Sequence, residues 1–88
     1  MVKETFKIKN KVGLHARPAA IFVQAAAKFK SDITIEKDGK SVNAKSILGV
    51  LSLGAEQGSI ITITIKGEDE QEALKTFKEL VENKFGEE

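Results

Sequence analysis

A chain of 88 residues is long enough for one two-layer core and too short for a second, so a single domain over 1–88 is expected, with any active site on its surface. Fourteen basic residues against thirteen acidic ones give a formal charge of +1, and both signs are interspersed, which argues against nucleic acid as a direct partner. The absence of cysteine excludes disulfides, thiolate chemistry and sulfur-ligated metal and fits a reducing compartment, so the expected location is the cytoplasm. No apolar run approaches the length of a membrane span, and Met1-Val2-Lys3-Glu4-Thr5-Phe6-Lys7 reaches no uninterrupted apolar core of the signal-peptide kind. A soluble protein with no membrane insertion is expected.

In chain order, Val2, Glu4, Phe6 and Ile8 alternate with Lys3, Thr5, Lys7 and Lys9 and predict a strand. Ala19, Phe22, Val23, Ala26 and Phe29 recur at helical spacing, which predicts an amphipathic helix from about Pro18 to Phe29. Ile33-Thr34-Ile35-Glu36 alternates again. The Asp38-Gly39 pair then predicts a tight hairpin into Ser41-Val42-Asn43, because Asp-Gly readily adopts the required left-handed conformations. Lys45 to Leu53 is a short apolar segment with a good N-cap at Ser46 and a good terminator at Gly54, and it predicts a short helix. Ser59 to Ile65 is rich in β-branched residues, with Ile61, Ile63 and Ile65 in phase, and predicts a central strand. Asp69 offers an N-cap with Glu72 three residues on, ahead of Ala73, Leu74, Phe77, Leu80 and Val81 at helical spacing. The order β-α-β-β-α-β-α with short connections predicts an α+β open-faced two-layer sandwich, a four-stranded antiparallel sheet with three helices on one face.

Gly13-Leu14-His15-Ala16-Arg17-Pro18-Ala19-Ala20 places the only His and the only Arg two residues apart where a helix begins. Proline is tolerated in a first turn because its missing N–H would have had no partner there. The free N–H groups and partial positive charge of a helix N-terminus attract anions, and Arg17 can add a forked contact to phosphate. Near neutral pH an imidazole offers a ring nitrogen lone pair able to attack phosphorus. On these grounds His15 is either a nucleophile that accepts a phosphoryl group or an exposed capping residue without chemistry. A metal site is disfavoured, since no second His or Cys exists and no carboxylate is near in sequence.

Ser46 reads first as a plain N-cap whose hydroxyl accepts a backbone hydrogen bond. After it, Ile47, Leu48, Val50, Leu51 and Leu53 surround more of a helix than one buried face requires. Either the whole helix is buried, or Val50 and Leu53 face the core while Ile47, Leu48 and Leu51 form an exposed patch, extended by Ala20 and Ile21. Exposed apolar patches of this kind mark partner sites.

Gly13 to Ala19 resembles the phosphorylation-site signature of the HPr family, the histidine-containing phosphocarriers of bacterial phosphoenolpyruvate-dependent sugar phosphotransferase systems. Lys45-Ser46-Ile47-Leu48-Gly49-Val50-Leu51-Ser52-Leu53-Gly54 resembles that family's second signature, and the likeness covers the whole chain. The resemblance implies a relay in which enzyme I, charged by phosphoenolpyruvate, phosphorylates His15, which hands the group to the A domain of a sugar-specific enzyme II. Arg17 steadies the phosphoryl group. The chain is then a carrier rather than a stand-alone enzyme, a monomer with no cofactor. Ala20, Ile47, Leu48 and Leu51 become the surface that docks on enzyme I, enzyme II and regulatory proteins. In Gram-positive members the serine matching Ser46 is phosphorylated by an ATP-dependent kinase, which links it to carbon catabolite repression. That adds an HPr kinase/phosphorylase and a catabolite-control transcription factor as partners, although the serine also occurs in members without this control.

One position departs from the pattern, because the residue before Gly13, often small and polar in the family, is Val12 here. A polar contact from it to the phosphate is lost, which leaves Arg17 and backbone N–H groups to hold the phosphohistidine. Rival readings are a regulatory paralogue that keeps the serine without the active histidine, a generic protein-binding module, and an assembly protein whose apolar patch pairs with itself. RNA binding is disfavoured by the absence of Tyr and Trp on which bases could stack.

Overall fold

The computed structural model describes residues 1–86; Glu87 and Glu88, the end of the expected span, lie outside the described residues. The strands are β1 (Val2–Lys7), β2 (Asp32–Lys37), β3 (Lys40–Asn43) and β4 (Ile60–Lys66), and the helices are α1 (Ala16–Ala27), α2 (Ile47–Ser52) and α3 (Glu70–Glu82), followed by a single closing turn, Lys84–Gly86. The strands form one antiparallel sheet in the order β1-β4-β2-β3. β4 therefore has a neighbour on each side, which suits its run of β-branched residues. Its Ile61, Ile63 and Ile65 and the Ile33 and Ile35 of β2 are buried on one face. Thr5, Thr34, Lys3 and Lys7 stand exposed on the other, so the sheet is open on that side, as expected. Asp38 and Gly39 have φ of 51° and 83°, the pair of left-handed residues that an Asp-Gly hairpin turn requires.

The buried isoleucines meet Phe22 and Ala26 of α1, Val50 of α2, and Ala73, Phe77 and Val81 of α3 in one core. The Phe22 and Phe77 rings stack with centroids 4.7 Å apart, which adds about 1 kcal/mol to the burial of two large side chains. Lys84 and Phe85 take φ of 54° and 55° and turn Phe85 back into the core, with its ring 6.4 Å from that of Phe22. No helix among the described residues is long and apolar enough to cross a membrane.

Two helix boundaries differ from expectation. α1 begins at Ala16, with His15 as N-cap, so Pro18 is the third helical residue rather than the first. Proline is tolerated there because N–H groups throughout the first turn lack an intrahelical acceptor. The first amide to bond back is Ala19, to the His15 carbonyl at 2.8 Å. The helix also stops at Ala27: the Lys28 and Phe29 N–H groups bond three residues back, to Ala25 and Ala26, at 3.2 Å each, which tightens the end and leaves Phe29 outside it.

Asp69 occupies the N-cap position of α3 but makes no side-chain cap bond. Its carboxylate instead accepts from the Lys30 N–H at 2.8 Å, the Ser31 N–H at 3.0 Å and the Ser31 hydroxyl. The turn between α1 and β2 packs so closely here that a side chain at Gly67 would lie 2.4 Å from Ser31 Oγ. Three donors from outside the helix thus outcompete the single one inside it. Glu70 rather than Glu72 reaches back before the helix, its Oε1 accepting from the Gly67 N–H at 3.1 Å.

Candidate functional site

The segment between β1 and α1 is a rigid base for His15. Asn10 is fully buried and its amide donates to the Gly13 carbonyl at 2.7 Å, while the Gly13 N–H returns to the Asn10 carbonyl at 3.2 Å. Gly13 has φ of +64°, and a Cβ on it would lie 2.3 Å from the Ala55 carbonyl oxygen and 2.6 Å from Glu56 Cα. Glycine is therefore required twice, for its conformation and for the approach of a second backbone. Leu14 is buried and its N–H donates to the Ala55 carbonyl at 2.9 Å. Glu56, next in chain, is held by the Ser59 hydroxyl at 2.8 Å, and Gln57 donates to the Lys9 carbonyl at 3.2 Å. The loop before α1 and the loop after α2 are stapled together just below His15.

From this base His15 emerges exposed, as the N-cap residue of α1, with extended backbone and no side-chain cap bond. Arg17 is exposed and makes no ion pair among the described residues. The first turn of α1 holds no acidic residue, so nothing in it competes with an incoming anion. The amides of Ala16 and Arg17 have no intrahelical acceptor. An imidazole nitrogen, a forked cation and two free N–H groups thus share one open helix end, a combination that can hold and transfer a phosphoryl group. Two surface grooves, one lined by residues such as Asp32, Ser41 and Lys45 and the other by Glu4, Lys7 and Lys78, do not include it.

Ser46 is the N-cap of α2 and accepts from the Gly49 N–H at 3.1 Å. Val50 and Leu53 are buried, while Ile47, Leu48 and Leu51 are 39%, 77% and 38% exposed, the division that helical spacing predicts. Ala20 and Ile21 are only half-buried, so they extend the exposed apolar surface modestly. Val12 is 54% exposed and offers no polar atom in its side chain. α2 packs against α1, and Lys45, just before α2, donates from Nζ to the carbonyl of Phe29, just after α1, at 2.8 Å.

Sequence reasoning missed Asn10, Gly13 and Ala55 as the residues that set the height of His15. The Asn10-to-Gly13 spacing is a local turn signal. Nothing local points to Ala55.

The family model described as the phosphorylation site of the phosphotransferase-system HPr component matches residues 2–83. The chain is 54% identical over 82 residues to the HPr-like protein Crh of Halalkalibacterium halodurans, covering 93% of this chain and 98% of that protein. It is 47% identical over 87 residues to the phosphocarrier protein HPr of Xylella fastidiosa, covering 99% and 98%. Among solved structures, HPr of Thermoanaerobacter tengcongensis superposes with a TM-score of 0.97 at 58% identity, covering 100% of this chain and 99% of that one. A dimer of HPr from the same organism matches with a TM-score of 0.80 at 57% identity, covering 99% and 100%.

Proposed function

The chain belongs to the HPr family of phosphotransferase-system phosphocarriers, and on that premise we propose that His15 accepts a phosphoryl group from phosphorylated enzyme I and passes it to the A domain of a sugar-specific enzyme II. The carrying observation is that His15 is exposed at the N-cap of α1 with no side-chain cap bond. Its ring nitrogen lone pair attacks phosphorus, the new N–P bond forms as the bond to the donor breaks, and the electron pair of that bond leaves with the donor. Transfer onward is the same displacement with His15 as leaving group. Arg17 and the Ala16 and Arg17 amides hold the phosphoryl oxygens, without help from Val12. Transfer in both directions suits a convex, open site that two partners approach in turn better than a deep pocket. In this reading the whole span 1–88 is one carrier domain of the cytoplasm, a substrate of phosphotransferases that needs no cofactor.

The test is incubation with enzyme I and phosphoenolpyruvate, followed by detection of an acid-labile, base-stable phosphate. It is expected in the wild type and absent in His15→Ala. Equal labelling of the two proteins overturns the assignment. Docking is assigned to Ala20, Ile47, Leu48 and Leu51: Leu48→Asn is expected to weaken the encounter with enzyme I while leaving stability within about 0.5 kcal/mol.

Ser46 is proposed as a regulatory phosphorylation site acted on by an HPr kinase/phosphorylase, with a catabolite-control transcription factor reading the product. A phosphate at a helix N-terminus meets a favourable dipole, so it adds charge beside the docking patch without unfolding α2. An acid-stable phosphate that appears with kinase and ATP and is lost in Ser46→Ala checks this. The likeness to Crh supports a regulatory role alongside transfer, while the presence of both His15 and Arg17 favours transfer as the main activity.

The reading takes the protein as a monomer, in which β1 pairs with β4 of the same chain. The dimer of the Thermoanaerobacter tengcongensis relative supplies the competing assembly. Thr5 and Thr62 are cross-strand partners, so a Thr5→Cys, Thr62→Cys variant closes an intramolecular disulfide in a monomer. Covalent dimers on oxidation would instead mean that β1 is exchanged between copies.

A further inference from the structure

β1 is an edge of the sheet, with β4 on one side and no strand on the other. The Ile8 N–H donates to the Ser59 carbonyl and the Ile8 carbonyl accepts from Gly58, so Ile8 turns its backbone groups inward. An antiparallel ladder alternates. Hence Phe6, Glu4 and Val2 bond toward β4, and Lys7, Thr5 and Lys3 point their N–H and C=O groups outward. Beside that outward edge runs a groove of about 300 Å³, bounded by Thr5, Phe6 and Lys7 on one side and by Lys78, Val81 and Glu82 of α3 on the other. An edge strand with a groove between it and a helix is the geometry in which an extended peptide adds as a strand.

Charge selects the occupant. Lys3 and Lys7 are exposed and make no ion pair among the described residues. The acids of the groove are already engaged, Glu4 with Lys78 at 3.7 Å and Glu82 with Lys9. A second copy docked antiparallel through its own β1, centred on Thr5, would set Lys3 opposite Lys7 at both ends, and like charges directly opposed destabilise a strand pair. The edge thus repels its own copy and complements a strand of opposite charge. Exposed ion pairs contribute little, so Lys9 and Lys78 can exchange their carboxylate partners at small cost.

We propose that the β1 edge and the adjoining α3 groove bind an extended acidic segment of a partner protein as an added strand. Its carboxylates occupy alternate positions on the face of Lys3 and Lys7, and small apolar residues occupy the intervening ones, on the side where Phe6 and Val81 line the groove. Binding uses neither His15 nor Arg17, so it is independent of phosphoryl transfer.

The probe is acetyl-Glu-Val-Glu-Thr-Glu-Val-amide, titrated into the isotope-labelled protein and followed by amide NMR. Saturable shifts are expected at Lys3, Thr5 and Lys7 and across Lys78 to Glu82, with slowed exchange of the three outward amides. Reversing charge in Lys3→Glu, Lys7→Glu should weaken binding about tenfold. Thr5→Pro removes one outward N–H while sparing the ladder to β4, as proline on an edge strand can, and should abolish strand addition; if that variant does not fold, the charge reversal decides. The proposal is overturned by the absence of shifts at millimolar peptide, by shifts centred on His15 and Arg17, or by equal binding of a peptide with Lys in place of Glu. Concentration-dependent broadening of β1 signals without peptide overturns it too, since a second copy then takes the edge.

Discussion

At the start of α2 the Ser46 hydroxyl turns back to take the Gly49 N–H at 3.1 Å, whereas at the start of α1 the residue in the same position, His15, makes no side-chain cap bond. A side-chain cap stabilises a helix start by about 1 kcal/mol, so α1 forgoes a contribution that the much shorter α2 takes. α1 can do so because its buried face, with Phe22 and Ala26 fully enclosed, and its stapled base hold it without a cap. The amides left free are what an incoming phosphate needs. One helix start is closed by its own side chain, while the other leaves its first amides open to an incoming anion.

Moving the base of the open end should have the largest effect. Gly13→Ala meets a left-handed φ and a Cβ position 2.3 Å from the Ala55 oxygen, so we expect a loss of about 2–4 kcal/mol in urea unfolding. Phosphoryl acceptance should fall as well, because His15 shifts relative to the loop that supports it. If Gly13→Ala is as stable as the wild type, the staple does not set the site.

The third helix start offers a pH-dependent comparison. Asp69 titrates below the ordinary 3.8 because the Ser31 hydroxyl and then the Lys30 N–H bind its ionised form. Glu70 is lowered likewise, by the amino terminus and then by the Gly67 N–H. Stability from a carboxyl with a depressed folded value is present above its unfolded value and lost as pH falls through the folded one. Urea midpoints should therefore decline below about pH 4, and Asp69→Asn should lower the midpoint at neutral pH while flattening that acid limb. Three donors converge on Asp69 where one reaches Ser46, so this change should exceed that of removing the α2 cap. Ser46→Ala is expected to cost about 1 kcal/mol and to leave labelling of His15 by enzyme I unchanged.

What was legible in the chain is what repeats locally. The isoleucine alternation of β4, the Asp38-Gly39 turn, the brackets Ser46 and Gly54 around α2, and the division of Val50 and Leu53 from Ile47, Leu48 and Leu51 all follow from periods of two or near four and from turn chemistry. The lone His and Arg at a helix start mark the candidate site, and two motifs carry the family. Contacts between distant segments were illegible. Asp69 finds donors 38 residues away in sequence at Ser31, and Ala55 approaches Gly13 across the whole of α1 and α2. Phe85 enters the core only because Lys84 and Phe85 adopt left-handed geometry that neither residue type favours. α1 begins two residues ahead of Pro18, because proline marks a first turn rather than a first residue.

The mildest test closes the open end. Asparagine is among the best N-cap residues and histidine is not, so His15→Asn supplies an oxygen able to accept an N–H of the first turn of α1, from Arg17, since Pro18 has none. Stability should rise by a few tenths to about 1 kcal/mol, read as a higher urea midpoint, while labelling from enzyme I disappears with the imidazole. A gain in stability together with loss of labelling means that the uncapped start is kept for its chemistry at the expense of the fold. A loss of stability would mean that the imidazole itself supports α1, and the contrast with Ser46 would then fail.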